Sequence, residues 1–147
     1  MKIAMAADDA GRELKDIIKA DLIAKGYEIE DFGLTEHQPT ADYPDYAEPA
    51  CRAVAEGRCE RGILVCGTGI GMSIAANKMK GIRAAALSDC FTAEATRMHN
   101  NANVLCLGER TVGPGLACKL ADIFLETGFQ GGRHQTRLDM ITEMENE

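Results

Sequence analysis

No stretch of this chain comes close to the ~18 consecutive apolar residues a membrane-spanning helix needs, and Met1-Lys2 runs straight into a strand pattern instead of a basic-then-apolar leader. Neither a membrane span nor an export signal is therefore expected. Excess positive charge is missing too. Sixteen Lys and Arg stand against 23 Asp and Glu, a net charge of −7, which argues against nucleic acid or an anionic membrane as the principal partner. The six cysteines (51, 59, 66, 90, 106 and 118) include no Cys-x-x-Cys pair and sit in ordinary strand or helix patterns. They read as reduced thiols of a cytoplasmic protein, neither a disulfide framework nor a zinc site. Internal repeats, low-complexity tracts and interdomain linkers are lacking as well. The expectation is one soluble domain over residues 1–147, large enough to bury a core without staples.

What is present is a steady alternation of strand and helix. Lys2–Ala7 is a short apolar run, stopped by Asp8-Asp9-Ala10-Gly11. Glu13–Lys25 carries Leu14, Ile17, Ile18 and Leu22 at helical spacing and stops at Gly26. Tyr27–Phe32 reads as a strand, Leu34–Asp42 as a polar loop, and Tyr43–Glu56 as a helix with Pro44 in its first turn. Gly62–Cys66 makes a third strand, followed by a glycine loop and a helix over Ser73–Met79. Ile82–Ser88 and Asn103–Gly108 are strands, each followed by a helix, at Phe91–Asn100 and Gly113–Glu126. A polar helical tail runs from about Thr136 to Glu147. Five strands joined by helical crossovers predict a three-layer α/β/α, Rossmann-like domain with a five-stranded parallel sheet. Ligands of such a sheet gather at the carboxyl ends of its strands.

The most informative segment is Cys66-Gly67-Thr68-Gly69-Ile70-Gly71, where a buried strand breaks into three glycines within five residues. Glycines let a loop backbone approach a ligand, and the following helix start offers unpaired N–H groups to negative charge. Cys66 is then a nucleophile or base beside an anion-stabilising cradle. Alternatively it is a small buried hydrophobe, and the glycines only make a turn. Asp8, Asp9, Ser88, Asp89, Glu109 and Arg110 are placed at the same sheet edge. His99-Asn100 closes the fourth helix and by simple topology points away from that edge. The conflict suggests a site shared with a neighbouring subunit.

Seven motifs in register carry a resemblance: Asp8-x-Ala10-Gly11-x-x-Leu14-Lys15, Asp42-Tyr43-Pro44-Asp45-Tyr46-Ala47, Cys66-Gly67-Thr68-Gly69-Ile70-Gly71, Ala75-Ala76-Asn77-Lys78, His99-Asn100, Asn103-Val104 and Gly131-Gly132-Arg133-His134. From Lys2 to about Ile141 the chain resembles the ribose-5-phosphate isomerase B family, which also includes allose- and galactose-6-phosphate isomerases. The resemblance implies a metal-independent, cofactor-free aldose–ketose isomerase of a small phosphosugar, working as a homodimer or homotetramer with shared sites. Such chemistry needs a base to move a proton between C1 and C2, donors for a cis-enediolate oxygen, a ring-opening group and cations for phosphate. The resemblance implies Cys66 as base, the Gly67–Gly71 loop (Gly67, Gly69, Ile70, Gly71) with the Thr68 hydroxyl as donors, and His99 as ring-opening acid/base. Asn100 and Asp8 would bond sugar oxygens, though Asp8 also suits a helix N-cap. Arg110, Arg133 and Arg137 match phosphate-binding positions, where a guanidinium fork fits phosphate oxygens; without the family, the last two read as a solvated tail. His37 and His134 receive no catalytic role.

Position 9 departs from the pattern. Many relatives carry Asp-His where this chain has Asp8-Asp9, and an acid there adds negative charge close to a dianion. Unless Asp9 turns away, it weakens phosphate binding or redirects the substrate. The galactose-6-phosphate branch also lacks that histidine. Asn100-Asn101 and Arg137-Leu138-Asp139-Met140 resemble one of its subunits, which however loses the Cys-Gly-Thr-Gly motif kept here. Ribose 5-phosphate and ribulose 5-phosphate are the default pair, with tetrose, allose or galactose phosphates as substitutes. Three rivals fit less well. A non-catalytic phosphoacceptor module needs an aspartate ending the third strand and a lysine ending the fifth, where Cys66 and Glu109 stand. A cysteine phosphatase loop needs Arg at the place of Met72, and a Rossmann nucleotide binder needs a three-glycine fingerprint after the first strand.

Overall fold

A computed structural model of the chain describes residues 1–147. Lys2–Ala7 forms β1, and its side chains alternate between two sheet faces as the strand period of two demands. Ile3, Met5 and Ala7 pack with Leu14, Ile18 and Leu22 of α1 (Arg12–Ala24). Ala4 and Ala6 face Ala47, Ala50 and Val54 of α2 (Tyr43–Ala55) on the other side. The same division runs through β3 (Arg61–Cys66) and β5 (Val104–Gly108). Ile63, Val65, Leu105 and Leu107 join the first cluster; Leu64, Cys66, Val104 and Cys106 join the second. α4 (Cys90–Asn100) and α5 (Pro114–Glu126) cover the α1 face, and α3 (Ile70–Ala76) covers the α2 face. Each fully buried large apolar side chain contributes roughly 1.5–3 kcal/mol. The three layers are therefore held by two separate apolar interfaces.

With β2 (Glu28–Asp31) and β4 (Ala84–Ala86) at its rims, the all-parallel sheet has the order β2-β1-β3-β5-β4. Connections from β1 run toward one rim and those from β3 toward the other, so the chain reverses between β1 and β3. The crevice at that switch point opens between the ends of these two strands, at Asp8 and Cys66, where open α/β sheets bind ligands.

Three boundaries differ from the sequence expectation. α3 begins at Ile70, not Ser73, because Gly69 takes a left-handed φ of 80° and turns the chain at once into the helix. It stops at Asn77, whose side chain bonds both N–H and C=O of Ala84. β4 is shorter than Ile82–Ser88: that Asn77 amide occupies its open edge, and Asn103 Oδ1 takes the N–H of Arg83. α6 (Arg133–Glu145) starts three residues before Thr136, directly after Gly131 and Gly132, both at positive φ. α6 buries only Leu138 and leaves Met140, Ile141 and Met144 exposed. No helix is long and apolar enough to cross a membrane.

Candidate active site

The carboxyl edge of the sheet is built by close backbone approach. At Gly11 a Cβ would come within 2.4 Å of the Val65 carbonyl, so only glycine lets the turn before α1 lie on the end of β3. This brings Asp8 beside the Cys66 loop. The buried Cys66 Sγ accepts the N–H of Gly69 at 3.1 Å, the contact that favours a thiolate. Burial without such a donor pushes the Cys51 thiol up to about 12 and holds Cys106 well above its ordinary value. Thr68 Oγ1 accepts from Ile70 N–H at 3.2 Å, which leaves its own proton to donate. The Arg110 guanidinium lies over Gly67, with Nη1 at 3.4 Å from where a Cβ would be. Tyr43 of α2 closes the loop from the other side, its ring within 2.7 Å of a Cβ at Gly71.

Asp8 Oδ1 accepts the Gly11 N–H at 3.1 Å, so the capping role holds, on a short 3-10 turn. Burial raises its pKa. Bonds from the Gly11 and Ala10 N–H groups and the charge of Arg110 offset this in part, while Asp9 adds to it. Asp9 does not aim a bare carboxylate at this cluster. Its Oδ1 meets His37 Nδ1 at 2.9 Å and accepts the Gln38 N–H at 2.7 Å.

The remaining predicted residues lie elsewhere in the same chain. α4 returns from the carboxyl edge and ends just before β5 begins, so His99 and Asn100 stand at the amino edge. Arg83, at the start of β4, donates from Nε to the carbonyls of Asn100 and Asn101 and fixes that end. Arg97 adds bonds to the Ala102 carbonyl (2.6 Å), Asn101 Oδ1 and the Thr127 carbonyl, with its guanidinium over Phe124. Burial, then the charges of Arg61 and Arg83, push the Arg97 pKa down to about 10. The His99 ring stacks on His134, centroids 4.4 Å apart. Desolvation, followed by the charges of His99, Arg133 and Arg137, lowers the pKa of His134. This second cluster is cationic or neutral throughout, as an anion site requires. In register, Gly62 pairs with Val104 and Cys66 with Gly108, so four residues of strand, roughly 13 Å, separate the two edges.

Sequence reasoning missed His37, Tyr43, Arg97 and His134 as parts of these clusters. Tyr43 and His134 stood inside motifs, whereas nothing local marked His37 or Arg97. The largest cavity, about 800 Å³, is at neither cluster's centre. It runs between the end of α3, β4 and the exposed apolar side of α6, past Lys78, Arg83, Leu138, Ile141 and Met144.

A doubly wound sheet with a thiol in a glycine cradle at one edge and paired imidazoles with guanidiniums at the other defines an α/β protein equipped for acid–base chemistry on an anionic ligand. Comparison with known proteins narrows the class. The family model described as Ribose/Galactose Isomerase matches residues 3–141. Ribose-5-phosphate isomerase B of Escherichia coli is 46% identical over 98% of this chain and 96% of its own. The D-erythrulose-4-phosphate isomerase of Pectobacterium atrosepticum is 40% identical, covering 100% and 97%. The crystal structure of ribose-5-phosphate isomerase B from Mycoplasma genitalium with bound ribulose-5-phosphate superposes with a TM-score of 0.96, at 42% identity over 99% and 97% of the two chains. This chain belongs to the ribose/galactose isomerase family.

Proposed function

We infer that this protein is an aldose–ketose isomerase of a small phosphosugar, with ribose 5-phosphate and ribulose 5-phosphate as its default pair, acting in the cytoplasm as one domain. The observation that carries the reading is the Cys66 thiol at the sheet's switch point, bonded by the Gly69 N–H. With an open-chain aldose seated there, the Cys66 thiolate takes the proton from C2 and the electron pair moves onto O1. The glycine-loop N–H groups and the Thr68 hydroxyl stabilise that oxyanion. A proton passes from O2 to O1, the Cys66 thiol returns its proton to C1, and the ketose forms with no net gain or loss of atoms. Asp8 holds sugar hydroxyls, and Arg110 lies near the phosphate.

His99 opens the sugar ring, Asn100 bonds an enediolate oxygen, and Arg133 and Arg137 hold the phosphate, all from a second copy. The opposite placement of the two clusters supports a homodimer or a larger even assembly, since no single chain brings Cys66 and His99 together. The groove beside β4 and the bare apolar side of α6 are suited to packing against that copy. A second substrate pair, a tetrose 4-phosphate and its ketose, is favoured by Asp9 at the sugar end of the site and by the relative from Pectobacterium.

The test is Cys66→Ser. A hydroxyl ionises too reluctantly to remove a carbon-bound proton, so the variant should fold, bind phosphosugar and lose at least a hundredfold in kcat. Alkylation of the wild type should inactivate it, with protection by substrate. Full activity in Cys66→Ser would overturn the assignment of the base. Silence of the wild type on four-, five- and six-carbon phosphosugars alike would overturn the isomerase reading.

A further inference from the structure

The loop between β2 and α2 carries an imidazole over the same sheet edge as Cys66. Its root is firm. Gly33 and Leu34 exchange backbone bonds with Ala7 at 2.7 Å each, and the buried Lys15 ammonium holds both Asp31 carboxylate oxygens and the Leu34 carbonyl. Beyond Leu34, residues 35–40 are exposed. The contacts that tie this stretch to the body converge on one atom, Asp9 Oδ1, which receives His37 Nδ1 and the Gln38 N–H. Asp9 is mostly covered, while the His37 side chain remains 68% exposed.

An exposed carboxylate–imidazole pair contributes little to folding, with ~0–1 kcal/mol typical. What the pair does achieve is orientation. A carboxylate on Nδ1 fixes the ring and turns Nε2 outward, the arrangement that makes a histidine a directed hydrogen-bond donor. The positions of the neighbouring groups say what it meets. Along the carboxyl edge the order is Cys66 at the end of β3, Asp8 at the end of β1, then the loop that follows β2. Adjacent strands lie about 4.8 Å apart, so two steps span roughly 10 Å. A substrate with its reacting carbons at Cys66 and its hydroxyls at Asp8 extends its far end toward His37, and the far end of a phosphosugar is the phosphoryl group.

We propose that His37, held by Asp9, is a phosphoryl-contacting residue that sets which chain length this enzyme prefers, with Asp9 as its positioning residue. The proposal rests on the isomerase reading above. It gives Asp9 a task that an acid performs and no neutral residue would: keeping a loop-borne imidazole over the site.

The experiment compares His37→Ala, Asp9→Ala, the double variant and the exposed loop control Thr40→Ala, by KM and kcat on four-, five- and six-carbon phosphosugars. Inhibition by inorganic phosphate is measured alongside. Loss of a charge-assisted contact should raise KM and the inhibition constant for phosphate about tenfold in His37→Ala, with a much smaller change in kcat. Asp9→Ala should do nearly the same, the double variant should be no worse than either, and the order of preference among chain lengths should change. Thr40→Ala should behave as wild type. His37→Asn or Gln restoring part of the loss would support a hydrogen-bonding role. Unchanged KM and phosphate inhibition in His37→Ala, with wild-type isomerase activity intact, would overturn the proposal and leave the isomerase reading standing. Additive losses in the double variant would overturn the positioning role of Asp9.

Discussion

At the scale of single residues, the amino-edge cluster makes the sharpest demand. If Arg133 and Arg137 hold phosphate, replacing either by Ala should raise KM ten- to a hundredfold, the worth of a charge-assisted bond of ~1.5–3 kcal/mol, with little effect on kcat. Unchanged KM in both would leave α6 a solvated helix. His134 supplies an independent readout. Desolvation and the positive charges of His99, Arg133 and Arg137 lower its pKa. Its proton should therefore leave below the ordinary histidine value of ~6.5, and an NMR titration of Arg133→Ala should move the midpoint upward. Cys66, Thr68 and the glycines were legible in the sequence because their chemistry follows from a few adjacent residues. His37 was not, because its partner Asp9 lies 28 positions earlier and meets it only after β2 has formed. The anticipated repulsion at Asp9 fails for the same reason: a sequence shows an acid but not the donors that fold onto it.

At the scale of elements, the loop bearing His37 depends on a buried ion pair beneath it. Lys15 is fully buried and its partner Asp31 nearly so. Burial pushes the Asp31 pKa up, but the bonds from Lys15, the Gly33 N–H and Lys19 outweigh it and leave the value lowered. A lowered folded pKa gives stability that is present above the unfolded value of ~3.9 and lost as pH falls through the folded one. Asp31→Asn should therefore cost about 3 kcal/mol at pH 7, because it leaves the Lys15 charge uncompensated. In urea titrations the gap to wild type should close progressively below pH ~4. A gap independent of pH would mean that shape, not charge, holds the root of the loop. Element order was readable throughout, since each helix carries its apolar stripe and each strand its punctuation. The errors fell where side chains or glycines override the pattern: Gly69 advances α3, the Asn77 amide trims β4, and Gly131-Gly132 releases α6 early.

At the scale of the whole molecule, the two clusters stand at opposite edges of one sheet, and the parallel topology forbids their meeting within a chain. The three-layer architecture was legible from alternation alone. The strand order was not, because which rim a crossover takes is decided by packing between distant helices. Shared sites make a prediction that no single-chain site can imitate. Cys66→Ser and His99→Asn should each be inactive alone, yet unfolding and refolding an equimolar mixture should restore activity. In a random twofold assembly half of the dimers pair one copy of each variant, and each such dimer holds one site with both lesions and one with neither. Recovery should then approach about a quarter of the wild-type rate. Two affinity tags, one per variant, would isolate the mixed dimer, which should carry all of the recovered activity at about half the specific rate of wild type. An isolated mixed dimer with no activity would show that Cys66 and His99 do not serve one site. Recovered activity in the unmixed fractions would show that one of the two residues is dispensable.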